Sequence, residues 1–159
     1  MSSKILISHS ARQTQSLGRQ LGKHAQSGDI YLLTGDLGAG KTCLTQGIAW
    51  GLGVKEYVFS PSFVLIREYM GKLPLYHIDF YRLDHIEEIV NLALDDYLFS
   101  NGVCVIEWAE KGIDILPQEN LLVNLEYIST NERSITLEPR GECYLHLVNL
   151  LTLRGDKWN

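Results

Sequence analysis

No apolar run in the chain approaches 18 residues, which excludes a membrane-spanning helix on the sequence pattern. The first residues, Met1–Gln13, lack the apolar stretch of a secretory signal, so a cytoplasmic protein is expected. Cysteine is scarce. Cys43, Cys104 and Cys143 are odd in number and far apart, without the close pairs of a zinc site or the density of a disulfide framework. Only four prolines occur, all isolated, and there is no repeat, low-complexity segment or Pro/Gly-rich linker. Positive charge is also short: 14 Lys+Arg stand against 19 Asp+Glu, a net charge of -5. That balance argues against unaided, sequence-independent binding of nucleic acid. The imbalance is local, with four bases and no acid in residues 1–28, and seven acids and no base in residues 83–110.

What is present suits one globular domain spanning residues 1–159. Apolar residues make up 45% and charged residues 21%, enough to bury a core. Strands are expected at Lys4–Ser8, Ile30–Thr34, Phe63–Met70, Leu73–Asp79, Val103–Glu107, Leu121–Ile128 and Ser134–Glu138. Ser10 is placed to cap a helix running to about Gln26, with Leu17, Leu21 and Ala25 as its buried stripe. A second helix opens at Lys41, and the acidic stretch Asp84–Leu98 reads as a third. Tyr144–Leu153 is apolar and reads equally as strand or docked helix. Strand–helix alternation followed by antiparallel pairs predicts a single α/β domain with a mixed parallel/antiparallel sheet flanked by helices.

One motif dominates. Gly35-Asp36-Leu37-Gly38-Ala39-Gly40-Lys41-Thr42 fits G-x-x-x-x-G-K-[ST] at every fixed position, between an apolar strand and a helix start. Glycines let the chain turn tightly and bring backbone N–H groups against a polyphosphate. The helix N-terminus adds its positive dipole end. Lys41 supplies a full charge for the β/γ-phosphates, and Thr42 a hydroxyl for the bridging Mg²⁺. Such a site needs a carboxylate at a neighbouring strand end. Glu107, closing the apolar VCVIE, is the first choice as metal ligand, with Asp79 either supporting the metal site from behind its ligands or orienting the attacking water. His77 reads as a hydrogen-bonded core group. No Ser-His-Asp set or His/Cys metal spacing appears.

With these residues in place, the chain resembles the TsaE (YjeE) family of bacterial P-loop ATPases, over most of its length. The likeness rests on GDLGAGKT (35–42), SPSF (60–63), REY (67–69), YHIDFYRL (76–83) and IEW (106–108). Ser62 stands where the family usually has Thr, Phe80 where Leu is frequent, and Cys43 where Thr is common. The resemblance implies Mg²⁺ and ATP at Lys41 and Thr42, Glu107 completing the metal site, and Asp79 needed for hydrolysis. It implies a switch-like segment at SPSF, a site-shaping role for Trp108, and Ala11 and Arg133 near the nucleobase. It further implies partners TsaD and TsaB in threonylcarbamoyladenosine (t6A) modification of tRNA, with tRNA met only through that complex. Two other classes compete. A small-molecule kinase needs an arginine-bearing lid, and the arginines here are scattered. A GTP-dependent switch needs N-K-x-D, and no asparagine is followed by lysine.

Overall fold

The computed structural model describes residues 2–152. Strand β1 (Lys4–Ser8) leads to helix α1 (Ala11–Lys23), whose first turn is capped by the Ser10 side chain accepting from the Gln13 N–H at 3.1 Å. Next come β2 (Ile30–Thr34), a glycine-rich turn, and α2 (Lys41–Gly51). Strands β3 (Ile66–Met70) and β4 (Pro74–Asp79) form a hairpin. Two short helices, α3 (Ile86–Val90) and α4 (Asp95–Leu98), precede β5 (Val103–Glu107). Strands β6 (Asn120–Tyr127) and β7 (Arg133–Arg140) and helix α5 (Glu142–Thr152) complete the order.

All seven strands share one sheet, ordered β1-β7-β6-β2-β5-β4-β3. The central four, β6-β2-β5-β4, run parallel, and antiparallel pairs close both flanks. The mixed sheet flanked by helices is therefore as the sequence pattern implied. All five residues of β5 are buried, as expected of a strand between parallel neighbours with helices on both faces. Pro139 is tolerated in β7 because β1 pairs only as far as Leu137, so the proline has a strand neighbour on one side only.

Alternate strand residues feed two cores. Tyr31, Leu33, Leu75, Val103 and Val105 pack with Leu17, Leu21, Leu44 and Ile48 of α1 and α2 and with Leu147 and Val148 of α5. Ile30, Leu32, Ile78, Cys104 and Ile106 pack on the other face with Ile89, Leu94 and Leu98. Helices α1 and α2 touch backbone to backbone. A Cβ at Gly18 or Gly22 would lie 2.2 Å from the Leu44 carbonyl oxygen or 2.0 Å from that of Ile48. At Gly47 or Gly51 it would lie 2.1 Å from the Gln15 oxygen or 2.2 Å from that of Arg19.

Three expectations need correction, and one open choice is resolved. Helix α1 ends at Lys23 rather than near Gln26. Strand β3 starts at Ile66 rather than Phe63, because Leu65 closes a turn onto the Pro61 carbonyl and adopts a left-handed φ of 72°. The acidic stretch is two short helices, broken where Ala93 takes φ 53°. Ile89 and Leu94 both enter the same core, yet five residues of continuous helix would set them about 140° apart, so the helix must break between them. The open choice for the tail resolves as helix, burying Tyr144, Leu147, Val148 and Leu151 at helical spacing, while Leu153 lies outside the described residues. No helix among the described residues is long and apolar enough to cross a membrane.

Candidate nucleotide and metal site

At the carboxyl ends of the parallel strands lies a cavity of about 390 Å³. Leu37, Gly38, Gly40, Lys41, Thr42 and Cys43 line one side, and Ser60, Ser62, Asp79, Tyr81, Glu107 and Trp108 the other. The glycine-rich turn from β2 to α2 builds the floor. Gly35 (φ 139°) has no room for a side chain, since a Cβ would sit 2.3 Å from the Leu125 carbonyl oxygen of β6. Gly38 (φ 82°) has nothing within 4 Å, so the backbone there faces open space that a phosphate can enter. Gly40 (φ 107°) caps α2 without a side chain, leaving the helix N-terminus bare. Ala39 instead points into the core, and Leu37 stands 74% exposed at the rim. Asp36 contributes its carbonyl, which accepts from the Ala39 N–H at 3.0 Å.

Lys41 folds back over this turn. Its ammonium donates to the carbonyls of Gly35 and Asp36 and sits 4.1 Å from the centre of the Trp108 ring. Burial lowers the pKa of this lysine, and the carboxylates of Glu107, Glu110, Asp79 and Asp36 oppose that effect. Trp108 reaches the ammonium because its own backbone turns left-handed (φ 57°) directly after β5.

The two strand-end carboxylates are register partners, Asp79 beside Glu107 on parallel neighbours. Thr42 donates its hydroxyl to Glu107, 2.9 Å from Oε1 and 3.1 Å from Oε2. Asp79 accepts from the Ser60 hydroxyl at 2.9 Å and from the Tyr81 N–H at 2.7 Å. Burial pushes the Asp79 pKa up, these two donors pull it down, and nearby Glu107 raises it further. Ser60 thus ties the SPSF segment to the strand end. The donor set suits a hard cation: a hydroxyl and a carboxylate, all oxygen. Among the described residues no three His, Cys, Asp or Glu side chains gather as a metal cage, so a cation here needs further oxygens from phosphate and water.

Ala11 and Arg133, distant in sequence, meet in a second, adjoining cavity of about 170 Å³, together with Ser10, Thr14, Gly40, Cys43, Thr130 and Asn131. The Arg133 guanidinium donates to the Ser129 carbonyl at 2.7 Å and the Gly38 carbonyl at 3.2 Å, which anchors it beside the turn. Its charged carbon lies 4.7 Å from the Tyr127 ring centre.

Comparison with known proteins matches residues 8–135 to the family described as threonylcarbamoyl adenosine biosynthesis protein TsaE. The chain belongs to the TsaE family. A TsaE protein of Treponema pallidum is 38% identical over 131 residues, covering 82% of this chain and 97% of that one. A Bacillus subtilis TsaE is 43% identical over 133 residues, 83% of each chain. The crystal structure of B. subtilis YdiB superposes with a TM-score of 0.83 at 36% identity, covering 96% of both chains. Membership in TsaE places the chain in a family of t6A biosynthesis on tRNA, as the names of these relatives state.

Two contacts within this TsaE fold escaped the sequence reading. His77 reads there as a hydrogen-bonded core group, which its burial bears out, but the sequence does not name its partner, Glu107 Oε2, 2.5 Å from Nε2. Glu110 accepts from the Gly35 N–H at 3.2 Å, and no motif in the sequence marks it. The first had a signal: His77 and Asp79 alternate onto one face of a strand that ends beside another ending in a carboxylate.

Proposed function

We propose that this protein binds Mg²⁺–ATP in the larger cavity and hydrolyses it slowly, in support of t6A modification by a TsaB–TsaD complex. The observation that carries the reading is the Thr42 hydroxyl held on Glu107 beside the Lys41 ammonium, at the bare N-terminus of α2. Lys41 and the backbone N–H groups of the glycine turn would bind the phosphates, Lys41 exchanging its two carbonyl partners for phosphate oxygens. Thr42 and Glu107 would hold the cation. When bound, Mg²⁺ would supply charge neutralisation to the phosphates. Asp79, fixed by Ser60 and the Tyr81 N–H, is the group to orient the attacking water, and Trp108 covers the site. The cavity of Ala11 and Arg133 would take the nucleobase, an arginine being suited to planar rings. The net charge of -5 agrees with a protein that leaves tRNA to its partners.

The deciding measurement is ATP turnover by the purified protein, alone and with purified TsaB–TsaD. Slow turnover alone that rises in the complex supports the reading, because a partner then completes or orders the segment around Ser60. Fast turnover alone that ignores the complex and responds to a small hydroxylated metabolite would replace it with a kinase.

A further inference from the structure

His77 is fully buried in β4, on the face it shares with Leu75 and Asp79. Its register partner in β5 is Val105, and Glu107 lies two residues further along that strand on the same face. The offset brings the imidazole against the carboxylate, with Nε2 2.5 Å from Oε2. An ionised carboxylate only accepts, so Nε2 carries the proton. The opposite ring nitrogen, Nδ1, is buried without a hydrogen-bond partner among the described residues. Leaving a buried polar atom unpaired costs free energy that a leucine or valine at this place would avoid. The ring therefore does more than fill space. We propose that His77 is a positioning residue for Glu107: its Nε2–H locks the carboxylate rotation so that both oxygens stay turned to Thr42 and the cation end of the cavity. The inference rests on the Mg²⁺–nucleotide reading above. His77 itself does not line the cavity; it acts through Glu107.

The test is the Mg²⁺ concentration at half-maximal binding of a fluorescent ATP analogue, with the thermal midpoint recorded for every variant. His77→Leu, which removes the donor, raises that concentration about 10-fold or more, the usual cost of losing a partner of a metal ligand. His77→Gln returns an N–H near the Nε2 position and stays within about threefold of the parent. His77→Asn, whose amide reaches only the Nδ1 level, behaves like leucine. If the leucine variant does not fold, the glutamine–asparagine comparison decides alone. In a Glu107→Ala background, adding His77→Leu changes the half-maximal Mg²⁺ concentration less than twofold, because the group it acts through is gone. Unchanged Mg²⁺ dependence in His77→Leu and His77→Asn, or an additive effect in the Glu107→Ala background, overturns the assignment of His77 alone. A parent protein whose nucleotide binding ignores Mg²⁺ defeats the nucleotide–metal reading, and this inference with it.

Discussion

Substituting Gly47 by alanine tests the packing that sets helix α2 and its glycine-rich N-terminal turn in place. A Cβ there would lie 2.1 Å from the Gln15 carbonyl oxygen and 2.8 Å from its carbon, whereas ordinary contacts begin near 3.4 Å. The obstacle is main chain within a helix, so no rotamer change relieves it, and α1 must move away from α2 by roughly 1.3 Å. Overpacking of this kind costs about 1–3 kcal/mol or more, here at the upper end because both sides are backbone. Against it stands the helix-propensity gain of alanine over glycine, about 1 kcal/mol. The net is a loss of about 2 kcal/mol, which for a chain of this size lowers Tm by about 4–8 °C. Circular dichroism melts and urea midpoints of the parent and Gly47→Ala measure it. Gly53→Ala is the control: its φ of 81° imposes strain, but nothing lies within 4 Å of an added Cβ, so its loss should be smaller. Since α2 begins at Lys41, Gly47→Ala should also weaken ATP-analogue binding. A Tm at or above the parent's would mean that the helix contact carries no such constraint.

Three further expectations follow from the same contacts. Lys41→Ala should abolish tight ATP binding, because among the described residues it is the one cationic side chain lining the cavity; normal binding by titration calorimetry would disprove the site. Asp79→Asn should slow hydrolysis while binding persists, and should change the pH dependence of stability. Burial raises the Asp79 pKa above its ordinary 3.8, so this group's contribution to stability is full below that value and fades as pH rises through the raised one. The asparagine variant should accordingly gain Tm relative to the parent from acidic to neutral pH, and a pH-independent difference would contradict the assignment. Tyr144→Phe should cost about 1–3 kcal/mol in urea unfolding, since it strips the buried Ile30 N–H of its acceptor at 2.9 Å; an unchanged midpoint would show that the bond contributes nothing net.

The cradle was legible because its signal is local: a glycine spacing, a lysine and a hydroxyl, with an apolar strand before and a helix after. Glu107 and Asp79 stood out as acids ending apolar strands, and the sheet places them side by side. What could not be read depends on tertiary placement. Phe63-Val64-Leu65 is more apolar than the strand it precedes, and only the turn onto Pro61 excludes it. The break at Ala93 carries no glycine or proline, and it exists because Ile89 and Leu94 must reach one sheet face. The meeting of Ala11 with Arg133 follows from β1 lying beside β7, a pairing that no sequence period encodes. The glycine pairs 18/22 and 47/51 did have a visible spacing of four, but single-sequence reading treats a helical glycine as a weakness rather than as a contact.

The strand order also dictates a timetable. Strand β2, which launches the glycine turn, is held between β5 and β6, both made later by the ribosome, and β1 finds its partner only in β7. At about 5–20 residues per second, the nascent chain waits several seconds between completing its glycine turn and receiving the first strand that can fix it. Throughout that interval the apolar β2, with four of its five residues destined for burial, has no sheet to join. Such late, non-local closure slows folding and leaves strand edges open to other chains. On the nucleotide reading proposed above, the site lacks its Glu107 carboxylate until β5 is made, so a ligand there would support folding late in synthesis rather than nucleate it early.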